Sequence, residues 1–125
     1  MVIQNNEGLD KLKKSMNTFN APCAIVLCAN PDKAWTRSYD GKKITDIDAS
    51  IVLTHMMLEA TNQGLDNVWV CNFRPDILRT EFNVPSEYEI TSVLLIGYGV
   101  SEPLSPQRHD KTRKKTEDLF IFETF

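Results

Sequence analysis

The stretch of greatest chemical interest is QGLDNVWVCNFRPDIL, residues 63–78. It passes from a glycine that can end a helix, through an apolar strand, to a proline that can open the next helix. A turn of this kind can present main-chain N–H groups to a ligand. Cys71 and Asn72 are the candidates for these N–H groups, and Trp69 and Val70 just before them offer apolar surface.

These features resemble what a flavin requires. An isoalloxazine ring needs an apolar surface and donors for its O2, N5 and O4 edge, and the flavin phosphate needs a cation. Arg108, in a later basic segment, is the candidate cation. The alternative is that Trp69 and Val70 are ordinary strand core and that the basic segment is a solvated surface. Composition and spacing alone favour this alternative.

Other chemical signatures are weak. His55 stands among apolar residues and His109 among basic ones, and neither has a Ser, Cys or carboxylate at triad spacing. The sequence contains no GxGxxG, P-loop or HExxH motif. Cys23, Cys28 and Cys71 form no CxxC pair and are odd in number, so buried, reduced thiols are expected. We therefore predict no catalytic side chain and no metal ligand.

Composition and charge limit the class of protein. A chain of 125 residues, 42% hydrophobic and 25% charged, is typical of one globular domain. The net charge is -3, but residues 108–115 (RHDKTRKK) hold five basic residues and one acid, which leaves -7 on the rest. This acidity argues against a nucleic-acid partner. Neither a membrane-spanning run nor a signal peptide is visible, so we expect no membrane partner and a cytoplasmic location.

The hydrophobic patterns mix strands and helices, which favours an α/β or α+β fold. A long helix is predicted from Thr45, with Asp48 as its capping-box partner, through Gln63. Gly64 should stop this helix and Leu65 should fold back on its last turn in a Schellman motif. Strands are expected in APCAIVLCAN, NVWVCNF and YEITSVLLIGYG, and a shorter helix in RPDILRTEF.

Two apolar segments exceed what one small chain can cover. The long helix is apolar nearly all round and is therefore expected to be buried on most sides, in a shared core or a dimer interface. The segment EDLFIFETF, residues 117–125, follows the basic residues, and it could pair with the sheet edge of a partner subunit.

The order and spacing of these motifs resemble the nitroreductase family of FMN-dependent NAD(P)H oxidoreductases. The resemblance rests on APCAIVLCAN, on the long helix with its GLD ending, on the tryptophan strand, on the VP after the following helix, and on the strand end IGYG. It covers nearly the whole chain.

The resemblance implies an α+β fold, in three α/β/α layers around a mixed, mainly antiparallel sheet. It implies one domain over residues 1–125, with residues 101–125 as an arm that crosses to the partner in a homodimer. Trp69, Val70, Cys71 and Asn72 would contact the flavin ring, and Arg108 would hold the phosphate. The implied reaction is ping-pong hydride transfer from NAD(P)H to a nitroaromatic, quinone or similar small-molecule acceptor.

Two departures from the family pattern matter. Pro106 replaces one of the two phosphate cations, and the family's RxSxR-like and NxQ-like segments do not precede MVIQNN. We therefore expect an N-terminally truncated member with weakened FMN affinity. The alternative hypothesis is a non-catalytic remnant that serves as a dimeric structural or interaction module.

Overall fold

The computed structural model describes residues 1–102 and 104–125. Within them the chain forms four strands, four helices and two short 3-10 turns. The helices and strands are β1 (Val2–Ile3), α1 (Asn6–Lys13), β2 (Cys23–Ala29), α2 (Thr45–Asn62), β3 (Asp66–Val70), α3 (Pro75–Phe82), β4 (Glu89–Gly97) and α4 (His109–Thr112). The 3-10 turns are Pro106–Arg108 and Thr116–Asp118.

The sheet has the order β1-β2-β4-β3, and each pairing between described residues is antiparallel. Helices α1 and α3 pack on one face of this sheet, and α2 packs on the other. This confirms the predicted α+β fold with a helix layer on each side of a mainly antiparallel sheet. The buried core beneath α1 and α3 consists of Ile3, Leu12, Met16, Ala24, Val26, Leu78, Val93 and Leu95.

The sheet register places two chain segments at the same end. Val26 of β2 and Val70 of β3 both pair with Val93 of β4, from opposite sides. Strands β2 and β3 therefore run in the same direction, and the segment after β2 and the turn after β3 leave the sheet at one end.

Helix α2 ends as predicted but begins differently. Gly64 has a φ of +75°, and the Leu65 N–H donates to the Ala60 carbonyl at 2.9 Å, as in a Schellman motif. At the other end Ile44 is the N-cap, without a side-chain hydrogen bond. The prediction of Thr45 as the cap was wrong, because Thr45 is already helical and its side chain is buried.

The outer face of α2 differs from the expectation. Ala49, Leu53 and Ala60 are buried, whereas Ile51 and Leu58 are exposed, along with other apolar residues of the helix. The prediction that most sides are buried is therefore wrong for the single chain. The helix has a covered inner face and an uncovered apolar outer face.

Two smaller predictions need correction. The strand predicted over NVWVCNF ends at Val70, so residues 71–73 are not part of it. Cys23 and Cys28 are half-buried free thiols, but Cys71 is exposed, contrary to the expectation of burial. In the single chain, residues 119–125 form no strand and their side chains are exposed, so their pairing with the sheet edge of a partner stays a prediction.

No helix within the described residues is long and apolar enough to cross a membrane.

Candidate functional site

Two local features determine the turn between β3 and α3: the end of one strand and the start of the next helix. Strand β3 is an edge strand that pairs only with β4 in the described sheet, and its ladder stops at Val70. Pro75 occupies the first turn of α3, where its fixed φ suits the helix and its missing N–H costs nothing. Residues 71–74 therefore form a tight connection, in which Cys71 and Asn72 are exposed.

A long-range contact holds this turn in place. The Arg74 N–H donates to the Ser15 carbonyl at 2.9 Å, and the Phe73 N–H donates to the Cys71 carbonyl at 3.2 Å. Ser15 is itself buried just after α1. No sequence signal points to Ser15, because this contact joins residues far apart in the chain.

The turn leaves two consecutive donors unused. In the described part of the chain, neither the Cys71 N–H nor the Asn72 N–H has a hydrogen-bond partner. Both belong to exposed residues, so a ligand can reach them. Two adjacent N–H groups of this kind suit a ligand edge with carbonyl oxygens or ring nitrogens.

The two apolar residues before the turn face opposite sides of the sheet. Val70 packs against the core beneath α1 and α3. Because side chains alternate along a strand, Trp69 points to the face that carries α2, where Leu94 is its partner on β4. Trp69 and Val70 therefore do not form one continuous apolar surface.

The indole of Trp69 carries an unpaired donor. Its Nε1 is buried and has no hydrogen-bond partner among the described residues. A buried donor without a partner typically costs about 1–3 kcal/mol.

The charge near the turn is largely balanced. The Arg74 guanidinium lies 3.0 Å from the Asp76 carboxylate, and this hydrogen bond lowers the pKa of Asp76. Since both side chains are about two-thirds exposed, the pair contributes little to stability. It also leaves Arg74 without a free positive charge for an anion at the turn.

Arg108 lies in the first 3-10 turn, far from β3 in the sequence, and its described hydrogen bonds do not reach that strand. Its Nη1 donates to the carbonyls of Leu104 at 3.0 Å and Ser105 at 3.2 Å. Among the described residues no hydrogen bond joins Arg108 to residues 69–72. Trp69 to Asn72 are consecutive residues and therefore lie close together in the single chain, whereas the described hydrogen bonds of Arg108 go to other residues.

The pKa of the histidine beside Arg108 is lowered. Slight desolvation, and then the positive charges of Arg113 and Arg108, hold the pKa of His109 below its ordinary value. His55 is exposed on α2, and its Nδ1 lies 2.8 Å from the Ile51 carbonyl. No His, Cys, Asp and Glu residues cluster within the described residues in a way that could hold a metal ion.

The comparisons with known proteins define the class. The family model described as "Nitroreductase family" matches residues 3–98, and the chain therefore belongs to the nitroreductase family. It is accordingly an oxidoreductase. No curated protein in the comparison matches the chain.

Solved structures give the same fold. A nitroreductase family protein from Clostridium difficile 630 is 51% identical, with a TM-score of 0.94, and the match covers 100% of this chain and 73% of that one. An FMN-dependent nitroreductase from Clostridium difficile R20291 is 25% identical, with a TM-score of 0.69, over 100% of this chain and 74% of that one.

A more distant protein shares the fold alone. It comes from Parabacteroides distasonis ATCC 8503 and carries the provisional name NADH dehydrogenase/NAD(P)H nitroreductase. It is 20% identical, with a TM-score of 0.75, over 100% of this chain and 71% of that one.

Proposed function

We propose that the protein is an FMN-dependent NAD(P)H oxidoreductase that reduces nitroaromatic, quinone or similar small-molecule acceptors. The reaction follows ping-pong order, so the oxidised pyridine nucleotide leaves before the acceptor binds. The observation that carries this proposal is the pair of unused N–H groups of Cys71 and Asn72, at an exposed turn in a member of this family.

The donor set at the turn fits an isoalloxazine ring. The N–H groups of Cys71 and Asn72 would bind its O4–N5 or O2 edge, and Trp69 would lie beside the ring with an indole N–H that lacks a partner. Bound FMN supplies the hydride chemistry. The protein's own residues bind and orient the ring, so no acidic or basic side chain is required at the turn.

The phosphate requires a cation. Arg108 is exposed, and its guanidinium contacts only neutral carbonyls among its described hydrogen bonds, so its charge remains uncompensated. We assign Arg108 to the flavin phosphate, within an arm of residues 101–125 that crosses to the partner of a homodimer. The rest of residues 1–125 form the single domain.

The dimer follows from the outer face of α2. Ile51, Leu58 and their apolar neighbours are about half exposed or more, which is a cost that a second copy of the chain removes. The use of NAD(P)H and the three free thiols favour the reducing environment of the cytoplasm.

The names of two relatives support the assignment of cofactors. One relative at 25% identity is named as an FMN-dependent nitroreductase, and one at 20% is named for NADH and NAD(P)H. Neither name fixes the acceptor, so the acceptor class comes from the family resemblance alone.

The test is a titration of the purified chain with FMN, in which binding is measured by quenching of the flavin fluorescence. Gel filtration then shows whether the flavin elutes with the protein. We expect FMN to travel with a dimer and NAD(P)H oxidation to depend on added menadione or nitrofurazone. Arg108→Ala should weaken FMN binding roughly 10- to 100-fold, because a charge-assisted hydrogen bond contributes about 1.5–3 kcal/mol.

Lys111→Ala is the matched control, because it removes a positive charge from the same arm. Riboflavin, which lacks the phosphate, should bind wild type and Arg108→Ala equally. A protein that ignores FMN at millimolar concentration would contradict the proposed function.

A further inference from the structure

A cleft lies at the end of the sheet opposite the β3–α3 turn. The sheet register pairs Asp66, at the start of β3, with Gly97, at the end of β4. Residues 17–22, which lead into β2, and residues 98–101, which follow β4, complete its walls around a volume of about 840 Å³. Small-molecule sites typically enclose roughly 300–1,000 Å³, so the space admits a small ligand. We call it the distal cleft, and its lining lies within residues 17–22, 66–68 and 95–101.

One wall of the distal cleft is a turn in an uncommon conformation. Phe19 and Asn20 have φ angles of +49° and +58°, and a positive φ is rare for a residue as bulky as phenylalanine. Two hydrogen bonds hold the turn: the Ala21 N–H donates to the Thr18 carbonyl and the Phe19 N–H donates to Asn17 Oδ1, both at 2.9 Å. Thr18 is buried and anchors the turn, whereas Phe19 is 65% exposed. Strained backbone of this kind is frequent at ligand-binding sites.

The wall formed by the end of β4 carries a second exposed aromatic ring. Tyr98 directly follows the last residue of β4, lines the cleft and is 77% exposed. Neither Tyr98 nor Phe19 belongs to the buried core beneath α1 and α3. The distal cleft therefore holds two aromatic side chains that contribute little to the packing of the domain.

The floor of the cleft carries a fixed carboxylate. Among the described residues that line the cleft, Asp66 is the one charged side chain. Its Oδ2 accepts the Gly99 N–H at 2.6 Å, and a Cβ at Gly99 would lie 3.0 Å from the same oxygen, so glycine permits this close approach. In the described part of the chain Asp66 forms no ion pair. One hydrogen bond thus orients the carboxylate and leaves its negative charge uncompensated.

A carboxylate beside two aromatic rings suits a particular class of ligand. Aromatic ring faces attract cations, and quaternary ammonium groups are recognised in this way. An anion would be repelled by Asp66, and a neutral ligand would leave its charge without a partner. A metal ion requires several oxygen ligands, whereas the described residues contain no group of His, Cys, Asp and Glu that could hold one.

We propose that the distal cleft binds an organic cation with apolar substituents, such as a quaternary ammonium compound. Its charged nitrogen lies against Asp66, and its alkyl groups contact Phe19 and Tyr98. This site does not depend on the proposed function. Strand β3 has five residues, so about 13 Å of strand separates the cleft from the β3–α3 turn.

The test is a titration of the purified protein with tetramethylammonium chloride, followed by two-dimensional amide NMR spectra. Sodium chloride keeps the ionic strength constant, because salt screens the general attraction of cations to an acidic protein. We expect saturable shifts of the Gly97 and Gly99 amide signals, with half-saturation below about 10 mM. The neutral compound tert-butanol, which is similar in size, should bind at least about tenfold more weakly.

Two variants separate the charge from the aromatic contact. Asp66→Asn removes the charge but keeps an oxygen that can accept the Gly99 N–H, so the fold should persist and the preference over tert-butanol should disappear. Tyr98→Leu removes an exposed ring and should weaken the binding of tetramethylammonium about two- to fivefold. The amide spectrum of each variant shows that it is folded.

Glu87→Gln and Tyr39→Leu are the matched controls, because they make similar changes at exposed residues that do not line the cleft. Both should bind tetramethylammonium as wild type does.

Four results would overturn the proposal. Shifts that do not saturate, or a loss in Glu87→Gln equal to that in Asp66→Asn, would show a general attraction of cations to the protein. Equal binding of tetramethylammonium and tert-butanol would show a crevice that does not recognise charge. Unchanged binding by Tyr98→Leu would exclude the aromatic contact. The titration uses no FMN, so this proposal and the proposed function succeed or fail separately.

Discussion

Ile51 and Leu53 lie two residues apart on α2 but have opposite environments, so alanine at each position separates folding from dimerisation. Leu53 is 0% exposed and packs on the sheet, whereas Ile51 is 52% exposed on the outer face of α2. Leu53→Ala removes a buried side chain and should lower the free energy of unfolding by about 2–5 kcal/mol. Ile51→Ala should change the stability of the single chain by less than about 0.5 kcal/mol.

The effect of Ile51→Ala on the dimer follows from its exposure. Full burial of such a side chain is worth about 1.5–3 kcal/mol, and roughly half of it remains to be buried by a partner. An isologous dimer contains this contact twice, so the loss should be about 1.5–3 kcal/mol. The dimer dissociation constant should therefore rise roughly 10- to 100-fold.

Sedimentation equilibrium gives the dissociation constant, and urea unfolding at a fixed, low protein concentration gives the stability. Val100→Ala is the matched control, because Val100 is fully exposed and lies outside α2. A dissociation constant unchanged by Ile51→Ala would refute the proposal that a second copy covers the outer face of α2. A stability loss as large as that of Leu53→Ala would contradict the environments described above.

Further predictions concern the turn, the thiols and one close contact. If FMN binds at the β3–α3 turn, it should protect Cys71, whose side chain is exposed, from alkylation by iodoacetamide; equal labelling rates with and without FMN would contradict this placement. Burial raises the pKa of Cys28 above its ordinary value, so the folded state disfavours the thiolate. The contribution of this thiol to the free energy of unfolding is fully present below its pKa in the unfolded chain, about 8.5. It is lost as the pH rises through the higher pKa of the thiol in the folded chain. The urea midpoint should thus fall more steeply above pH 9 in wild type than in Cys28→Ala, and parallel curves would show that another group titrates. Gly97→Ala places a Cβ 2.7 Å from Pro22 Cδ and should lower the free energy of unfolding by about 1–3 kcal/mol, measured by thermal unfolding. Gly41→Ala is the comparison, because its Cβ meets no atom within 4 Å while Gly41 has a φ of +70°, so this variant reports backbone strain without a steric contact.

The helix ends could largely be predicted from the sequence, because the residues that form them are chain neighbours. Asn5 caps α1 by accepting the Gly8 N–H at 2.7 Å, and Gly64 ends α2 in the left-handed region. The start of α2 could not be predicted from its capping-box pattern. Packing against the sheet buries Thr45, and this tertiary contact outweighs a local hydrogen bond.

Burial of α2 illustrates a different limit. Apolar residues lie on all sides of this helix, and this pattern correctly indicated that it has more apolar surface than one chain covers. The sequence pattern alone does not say which side is left open, because that depends on where the helix crosses the sheet. Asn67 fixes this crossing by donating from Nδ2 to the Met57 carbonyl at 3.2 Å and to Thr61 Oγ1 at 3.1 Å.

The candidate site depends on the residue at which β3 ends. The sequence predicted a strand through Phe73, and in such a strand the main-chain groups of Cys71 and Asn72 would alternate between ladder bonds and the free edge. The described strand instead ends at Val70, and the Arg74 N–H is diverted to the Ser15 carbonyl. The donors at the turn are free because a residue just after α1 draws the chain away from the sheet, and this contact is invisible in the motif itself. If the contact sets the site, inserting one residue between Ser15 and β2 should weaken FMN binding more than the same insertion at residues 38–41, the exposed connection between β2 and α2, where no contact with the turn is disturbed.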